Sequence, residues 1–157
     1  MRVISYGVNL LSELDYEGEY YISEDELMLY FKPPTGTDPA EWVGPAAPVL
    51  STNGSALINL TDVSHVHLKN LKVAYGRANG VVMAGVNNVH VMNCSVFGLG
   101  QDGMTLSGQD SLVTQSSIYD CGCKGLTTSG GNPAQLKAGN LQIIDNTIEK
   151  VAQWKRT

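Results

Sequence analysis

The sequence has little charge and no long apolar run. Only 16% of its 157 residues are charged, and fifteen Asp and Glu outnumber ten Lys and Arg, which gives a formal net charge of −5. A nucleic-acid surface needs clustered cations, so we predict no nucleic-acid partner. No apolar run approaches the roughly 18 residues of a membrane-spanning helix, and the start of the chain lacks the apolar core of a signal peptide. We therefore predict no membrane insertion within this chain.

Residues that could hold a metal ion are also few. The three cysteines, Cys94, Cys121 and Cys123, cannot all pair with one another, and no second pair completes a zinc site. We interpret them as small, buried or half-buried side chains, with a redox or metal role as the alternative. The acidic residues between Asp15 and Glu26 could bind calcium, but they lack the regular spacing of a calcium loop. We predict a solvated segment there, no metal site and no cofactor.

What the sequence does contain is a repeat. The phrases GVVMAG, GMTLSG and GLTTSG begin at Gly80, Gly103 and Gly125, which are 23 and 22 residues apart. Each phrase is followed by a polar turn and an alternating strand, such as NVHVMNCSV from Asn88. A segment rich in Gly and Pro, GGNPAQLKAG from Gly130, lengthens the last interval as a loop insertion would. The pattern predicts an all-β solenoid with three short strands in each coil of 22–23 residues.

Stacking would place each residue about 4.8 Å above its counterpart in the preceding coil, so equivalent side chains should form columns. The predicted inward columns are apolar: Ile58, Val81, Met104 and Leu126; Leu60, Met83, Leu106 and Thr128; Val66, Val89 and Leu141; Leu68, Val91 and Ile143; Val73, Val96, Ile118 and Ile148. A polar column is predicted at a tight turn between the second and third strands, because Asn tolerates left-handed backbone. Its members are Asn70, Asn93, Gln115 and Asp145. The alternative is a polar binding row, which would require these side chains to face solvent.

Two other architectures compete with this interpretation. A leucine-rich repeat has a similar length, but its helical return disagrees with coils rich in Asn, Gly and β-branched residues. An antiparallel meander gives no reason for equal periods. The coils resemble the right-handed parallel β-helix family, the pectate-lyase-like fold, in which an asparagine-laddered turn joins the second and third strands. The resemblance covers about two-thirds of the chain.

The segment before the coils is similar to one that precedes the coils of many large β-helix proteins. It runs LLSELDYEGEYYISEDELMLYFKPP from Leu10 to Pro34. EYYIS and LMLYF predict a hairpin that caps the first coil, followed by an extended connection from Pro33 to Pro48. We thus divide the chain into a capping region, 1–50, and coils, 51–157. Because the chain stops just after a third strand, we expect it to be the N-terminal portion of a larger protein.

The resemblance implies enzymes of the polysaccharide lyase or glycoside hydrolase type, or glycan binders, and an extracellular or cell-surface location. Such enzymes use outward groups on the first strand and adjoining loops. Apart from Val82 and Ala84, the outward residues here are hydroxyl and amide side chains suited to sugar hydroxyls. We predict as binding residues Asn59, Thr105, Ser107, Thr127 and Ser129. The nearest catalytic candidates flank this strand: Asp102 and Lys124 before it, and Asp110 after it. Their ordinary interpretation is a surface ion pair and a turn-forming aspartate.

Two histidines complete the set of candidates. His67 and His90 share a phase and should stack on the surface, with Val113 and Gln142 in the neighbouring phases. Two imidazoles without a third ligand do not predict a metal site. The function that the sequence favours is a segment of a β-helix protein that acts on or binds polysaccharide, with active residues outside this segment. The alternative is a non-catalytic binding or structural module.

Overall fold

The computed structural model describes residues 9–36, 38 and 54–153. The chain forms two compact units, Met1–Pro48 and Val49–Thr157. Residues 50 and 51, where we predict the boundary between the capping region and the coils, lie outside the described residues, as does most of the predicted connection before them.

The first unit contains the predicted β-hairpin. A 3₁₀ turn at Leu11–Glu13 precedes strand β1 (Tyr20–Ser23), which pairs antiparallel with β2 (Met28–Phe31). The side-chain amide of Asn9 donates to the Ile22 carbonyl oxygen at 2.9 Å and accepts the Ile22 N–H at 2.8 Å. One side chain therefore satisfies both backbone groups of an edge residue. That the hairpin caps the first coil stays a prediction.

The second unit contains twelve short strands and, within residues 54–153, no α-helix. In chain order they are β3 (Ile58–Thr61), β4 (His67–Lys69), β5 (Lys72–Ala74), β6 (Val81–Asn87), β7 (His90–Met92), β8 (Ser95–Leu99), β9 (Met104–Gln109), β10 (Leu112–Thr114), β11 (Ser117–Cys121), β12 (Leu126–Gly130), β13 (Gln142–Ile144) and β14 (Thr147–Glu149). They form three parallel sheets: β3-β6-β9-β12 is the first, β4-β7-β10-β13 the second and β5-β8-β11-β14 the third. Every third strand is thus a vertical neighbour, which confirms the predicted parallel solenoid.

The strand register confirms the predicted columns. In the first sheet Met83 pairs with Leu106, and in the third sheet Val96 pairs with Ile118. Successive side chains of a strand point to opposite faces, and these four residues point inward. None is more than 2% exposed: Met83, Leu106, Val96 and Ile118. The core therefore lies between the three sheets and continues from coil to coil.

Burial falls off in the last coil. Ile143 and Ile148 occupy inward positions but are 40% and 44% exposed, because among the described strands none pairs with β13 or β14 on the far side. Their counterparts Val113 and Ile118, one coil earlier, are fully buried. Stacking of neighbouring coils, rather than the coil itself, buries the apolar face.

The turn between the second and third sheets contains the predicted polar column. Asn70, Asn93, Gln115 and Asp145 all have positive φ, between 51° and 57°, a conformation that Asn and Asp adopt at less strain than most residues. The Asn93 amide donates to Asn70 Oδ1 at 2.8 Å. These residues are exposed at the surface, which is what the alternative interpretation, a polar binding row, requires.

Two irregularities account for the unequal periods. The register of the first sheet shifts between Met83 and Val86, a β-bulge that adds one residue to this coil. Gly85 within the bulge has a φ of 65°, which favours glycine. The predicted insertion forms a loop at residues 131–139, with a 3₁₀ turn at Pro133–Gln135. Because β10 still pairs in parallel with β13, the insertion leaves the stack intact.

Candidate binding groove

A groove of 420 Å³ lies on the outer surface of the second sheet, beside the turn through which the chain enters that sheet. Three neighbouring coils contribute to it. The lining residues are His90, Asp110, Ser111, Leu112, Asn140 and Gln142. The volume falls within the roughly 300–1,000 Å³ of small-molecule sites, and the mixture of one carboxylate, one imidazole, two amides and one aliphatic side chain is suited to a polar ligand.

The floor of the groove is a column of the second sheet. His90, Leu112 and Gln142 are vertical neighbours in β7, β10 and β13. Below them His67 pairs with His90, and the two imidazole rings stack with centroids 4.7 Å apart and planes inclined by 7°. The predicted stacking of the two histidines is confirmed. Leu112 supplies an apolar surface between an imidazole and an amide.

The prediction that Val113 belongs to the histidine column was wrong. Leu112 occupies that position, and Val113 is fully buried in the core. The cause is that the usual pattern of polar residues outside and apolar residues inside is reversed at this point: Leu112 faces outward, while the adjacent Ser111 is 1% exposed. The Ser111 hydroxyl accepts the Val89 N–H at 3.0 Å and donates to the Gln109 carbonyl oxygen at 2.8 Å. A buried hydroxyl that is fully bonded in this way is tolerated in a core.

The wall of the groove is a second column of turn residues, which the sequence analysis missed. His65, Asn88, Asp110 and Asn140 precede the second strand of successive coils, and all have positive φ. Neighbours bond along the solenoid axis: Asn88 Nδ2 lies 2.7 Å from His65 Nδ1, and Asn140 Nδ2 donates to Asp110 Oδ1 at 2.7 Å. The signal was a run of side chains that tolerate left-handed backbone at one phase. Asp110, predicted as a turn-forming aspartate, also lines the groove.

Asp102 and Lys124 lie in a third column of turn residues, at the turn before the first sheet. The Asp102 carboxylate accepts the backbone N–H of Lys124 at 2.9 Å, and the Asp102 N–H donates to Asn79 Oδ1 at 3.1 Å. Asp102 and Asp110 flank opposite ends of the six-residue strand β9, which spans roughly 17 Å. That separation exceeds the roughly 5–10 Å between the two carboxyl groups of glycosidases, so these aspartates do not form such a pair.

The predicted binding residues form two rows on the first sheet. Thr105 pairs with Thr127, and Ser107 pairs with Ser129, but Val82 separates Thr105 from Asn59. Ser107 and Ser129 are exposed, whereas Thr105 and Thr127 are half-buried. The Thr127 hydroxyl oxygen is buried and has no hydrogen-bond partner among the described residues, although buried hydroxyl groups normally have one. Their role as binding residues stays a prediction.

The described part of the chain contains neither a cluster of metal ligands nor a membrane-spanning helix. Within residues 9–36, 38 and 54–153, no three His, Cys, Asp or Glu side chains come together around a common point. Over those same ranges, the longest helical segments are far too short and too polar to cross a bilayer.

The three cysteines are free thiols. Cys94 and Cys121 are buried and Cys123 is half-buried, in agreement with the predicted small core side chains. Burial raises the pKa of the Cys121 thiol to about 11, and the nearby carboxylates of Asp120 and Asp102 add to the increase. The nucleophile is the thiolate, so Cys121 should be chemically inert at neutral pH.

We expect iodoacetamide at pH 8 to alkylate Cys123 in the folded chain well before Cys121. A pKa of about 11 leaves roughly 200-fold less thiolate at pH 8 than the ordinary cysteine value of about 8.5, and burial slows the reaction further. Peptide mass spectrometry of timed samples measures the two rates, and labelling in urea provides the control in which all three cysteines react. Equal rates in the folded chain would contradict the burial of Cys121.

Comparisons with known proteins agree with this architecture. Residues 49–153 match the family model described as a right handed beta helix region, which is the part of the chain that forms the stacked coils. No curated protein and no solved structure matches the chain. The family match covers two-thirds of the sequence, and the described part of that range forms three parallel sheets. The chain therefore belongs to the right-handed β-helix family.

Proposed function

We propose that this chain binds polysaccharide along the outer surface of its solenoid, with the groove as the contact site. The observation that carries the proposal is the composition of the groove: side chains from three neighbouring coils surround the aliphatic side chain of Leu112 with hydrogen-bonding groups. A sugar ring presents hydroxyl groups at its rim and C–H groups on its faces. A carboxylate accepts two or more hydroxyl protons, and an amide both donates and accepts, so the groove complements such a ring.

The first sheet offers a path along which a polymer could continue. Strand β9 ends at Gln109, and the next residue is Asp110 at the wall of the groove. Along β9, Thr105 and Ser107 therefore lead towards Asp110, and each is repeated in the next coil by Thr127 and Ser129. A polymer that filled the groove with one unit would meet further hydroxyl groups with the next units.

Binding is favoured over catalysis for this part of the protein. The groove is lined by a single carboxylate, that of Asp110, whereas glycoside hydrolysis ordinarily needs two. Lyase chemistry needs a base together with a group that neutralises a uronate, and no Lys or Arg lines this groove. If the whole protein is a lyase or a hydrolase, we propose that its catalytic groups lie outside this segment.

The test is affinity electrophoresis of the 157-residue chain in native gels cast with soluble polysaccharides. We expect retardation by at least one polysaccharide. Asp110→Ala should weaken that binding by about tenfold or more, because charge-assisted hydrogen bonds are lost from the groove. Asp145→Ala is the matched control, since Asp145 is an exposed turn aspartate of similar φ that does not line the groove.

Two results would contradict the proposal. A chain that migrates unretarded through every polysaccharide would refute binding and favour a structural role for the solenoid. Equal weakening by Asp110→Ala and Asp145→Ala would show that the groove is not the contact site.

A further inference from the structure

We infer that the groove selects neutral glycans and disfavours glycans that carry uronate groups; this inference rests on the proposed function. The resemblance to pectate-lyase-like proteins would instead suggest an acidic polymer. The charge of the groove decides between the two. Its lining contains the carboxylate of Asp110 and no Lys or Arg, so a second carboxylate brought by the ligand would meet a like charge and no counter-charge.

The Asp110 carboxylate is hydrogen-bonded to the neighbouring coil. Asp110 Oδ1 accepts the Asn140 amide at 2.7 Å, and the Asp110 N–H donates to the Gly139 carbonyl oxygen at 2.8 Å. The partner of the carboxylate is thus a neutral amide, which orients the charge without cancelling it. A carboxylate is a strong acceptor for a sugar hydroxyl group and repels a uronate at the same distance.

The other lining groups agree with a neutral ligand. The Asn140 and Gln142 amides can donate to or accept from hydroxyl groups, and Leu112 offers an aliphatic surface to ring C–H groups. Ser111 lines the groove too, but its hydroxyl already bonds the Val89 N–H and the Gln109 carbonyl oxygen. His90 is stacked against His67. Asp110 is thus the one acidic residue in the lining, and no Lys or Arg opposes it.

The experiment compares each acidic polymer with its own reduced form. Polygalacturonate and alginate are used as purified and after carboxyl reduction, which replaces every carboxylate with a primary hydroxyl group and leaves the linkages intact. Affinity electrophoresis at pH 8 and low ionic strength gives the dissociation constant of the 157-residue chain for each polymer. We expect at least one reduced polymer to bind about tenfold or more tightly than its acidic parent, and we expect added salt to narrow the difference.

Two variants separate the groove from the net charge of the chain. Asp110→Asn replaces the carboxylate with an uncharged amide of the same shape. The ratio of the affinities for the reduced and the acidic polymer should therefore fall to within about threefold. Asp145→Asn makes the same change in net charge at a turn residue outside the groove, and it should leave the preference unchanged. A preference that falls equally in both variants would assign the selectivity to the net charge of −5 and overturn the inference.

The outcomes distinguish this inference from the function on which it rests. Equal or tighter binding of the acidic polymers would overturn the neutral-glycan inference while leaving polysaccharide binding in place. Absence of binding to all four polymers and to every neutral polysaccharide of the broader panel would overturn both.

Discussion

Val91→Asp is expected to leave the coils unfolded at room temperature and neutral pH. Val91 is 1% exposed and lies in the second sheet between Leu68 and Val113, so a carboxylate there would be surrounded by aliphatic side chains. Burial of an unpaired charge is one of the few single changes that exceed about 4–5 kcal/mol. That is comparable with the whole stability of an ordinary domain, about 5–15 kcal/mol. Circular dichroism and urea titration measure the result.

The control for this variant is the adjacent residue. Met92→Asp places the same charge on the opposite face of β7, where Met92 is half-buried and pairs with Lys69 of the coil below. A carboxylate beside a lysine on a sheet surface is neutral or slightly stabilising, so the midpoint of urea unfolding should move little. If the two variants were equally damaging, the assignment of inward and outward faces along this strand would be incorrect.

The repeat made the fold predictable from the sequence. Because residues 22 or 23 apart are vertical neighbours, the position of one inward residue determines those of its column, as with Met83 and Leu106. The prediction for Val113 was wrong where local chemistry reverses the usual pattern, since a buried serine precedes an outward leucine in that coil. Hydrophobicity alone does not reveal that the Ser111 hydroxyl finds both partners inside.

The groove was less predictable than the fold. It depends on Asp110 and Asn140 being neighbours, although they are 30 residues apart and separated by the inserted loop. A fixed period of 22 residues would place Asn132, not Asn140, above Asp110, so the inserted loop must first be subtracted. The shape of the groove also depends on how far the His90 and Gln142 side chains project from the sheet, which is a property of packing and not of sequence spacing.

Gly103→Ala is the second change with a large expected effect, and its cause is the close approach of neighbouring coils. A methyl group at Gly103 would lie 2.5 Å from the Gly125 carbonyl oxygen and 2.5 Å from Ile118 Cγ2. The same carbonyl oxygen accepts the Met104 N–H at 2.8 Å, so relief of the clash would stretch a hydrogen bond between coils. We expect a loss of about 3 kcal/mol, the upper end for overpacked cores, and a fall in Tm of roughly 10–20 °C.

The other glycines of the solenoid supply a graded series for this prediction. Gly80→Ala should be as damaging as Gly103→Ala, because its methyl group would lie 2.6 Å from the Gly103 carbonyl oxygen. Gly125→Ala should be milder, since its nearest contacts are the Ile148 and Val151 side chains of the exposed last coil, which can move. Gly54→Ala meets nothing within 4 Å and should change Tm little. In thermal melts, large losses for Gly103→Ala and Gly80→Ala, a smaller loss for Gly125→Ala and almost none for Gly54→Ala would show that contact between coils requires the repeated glycine. Four equal losses would instead indicate an effect on the unfolded chain.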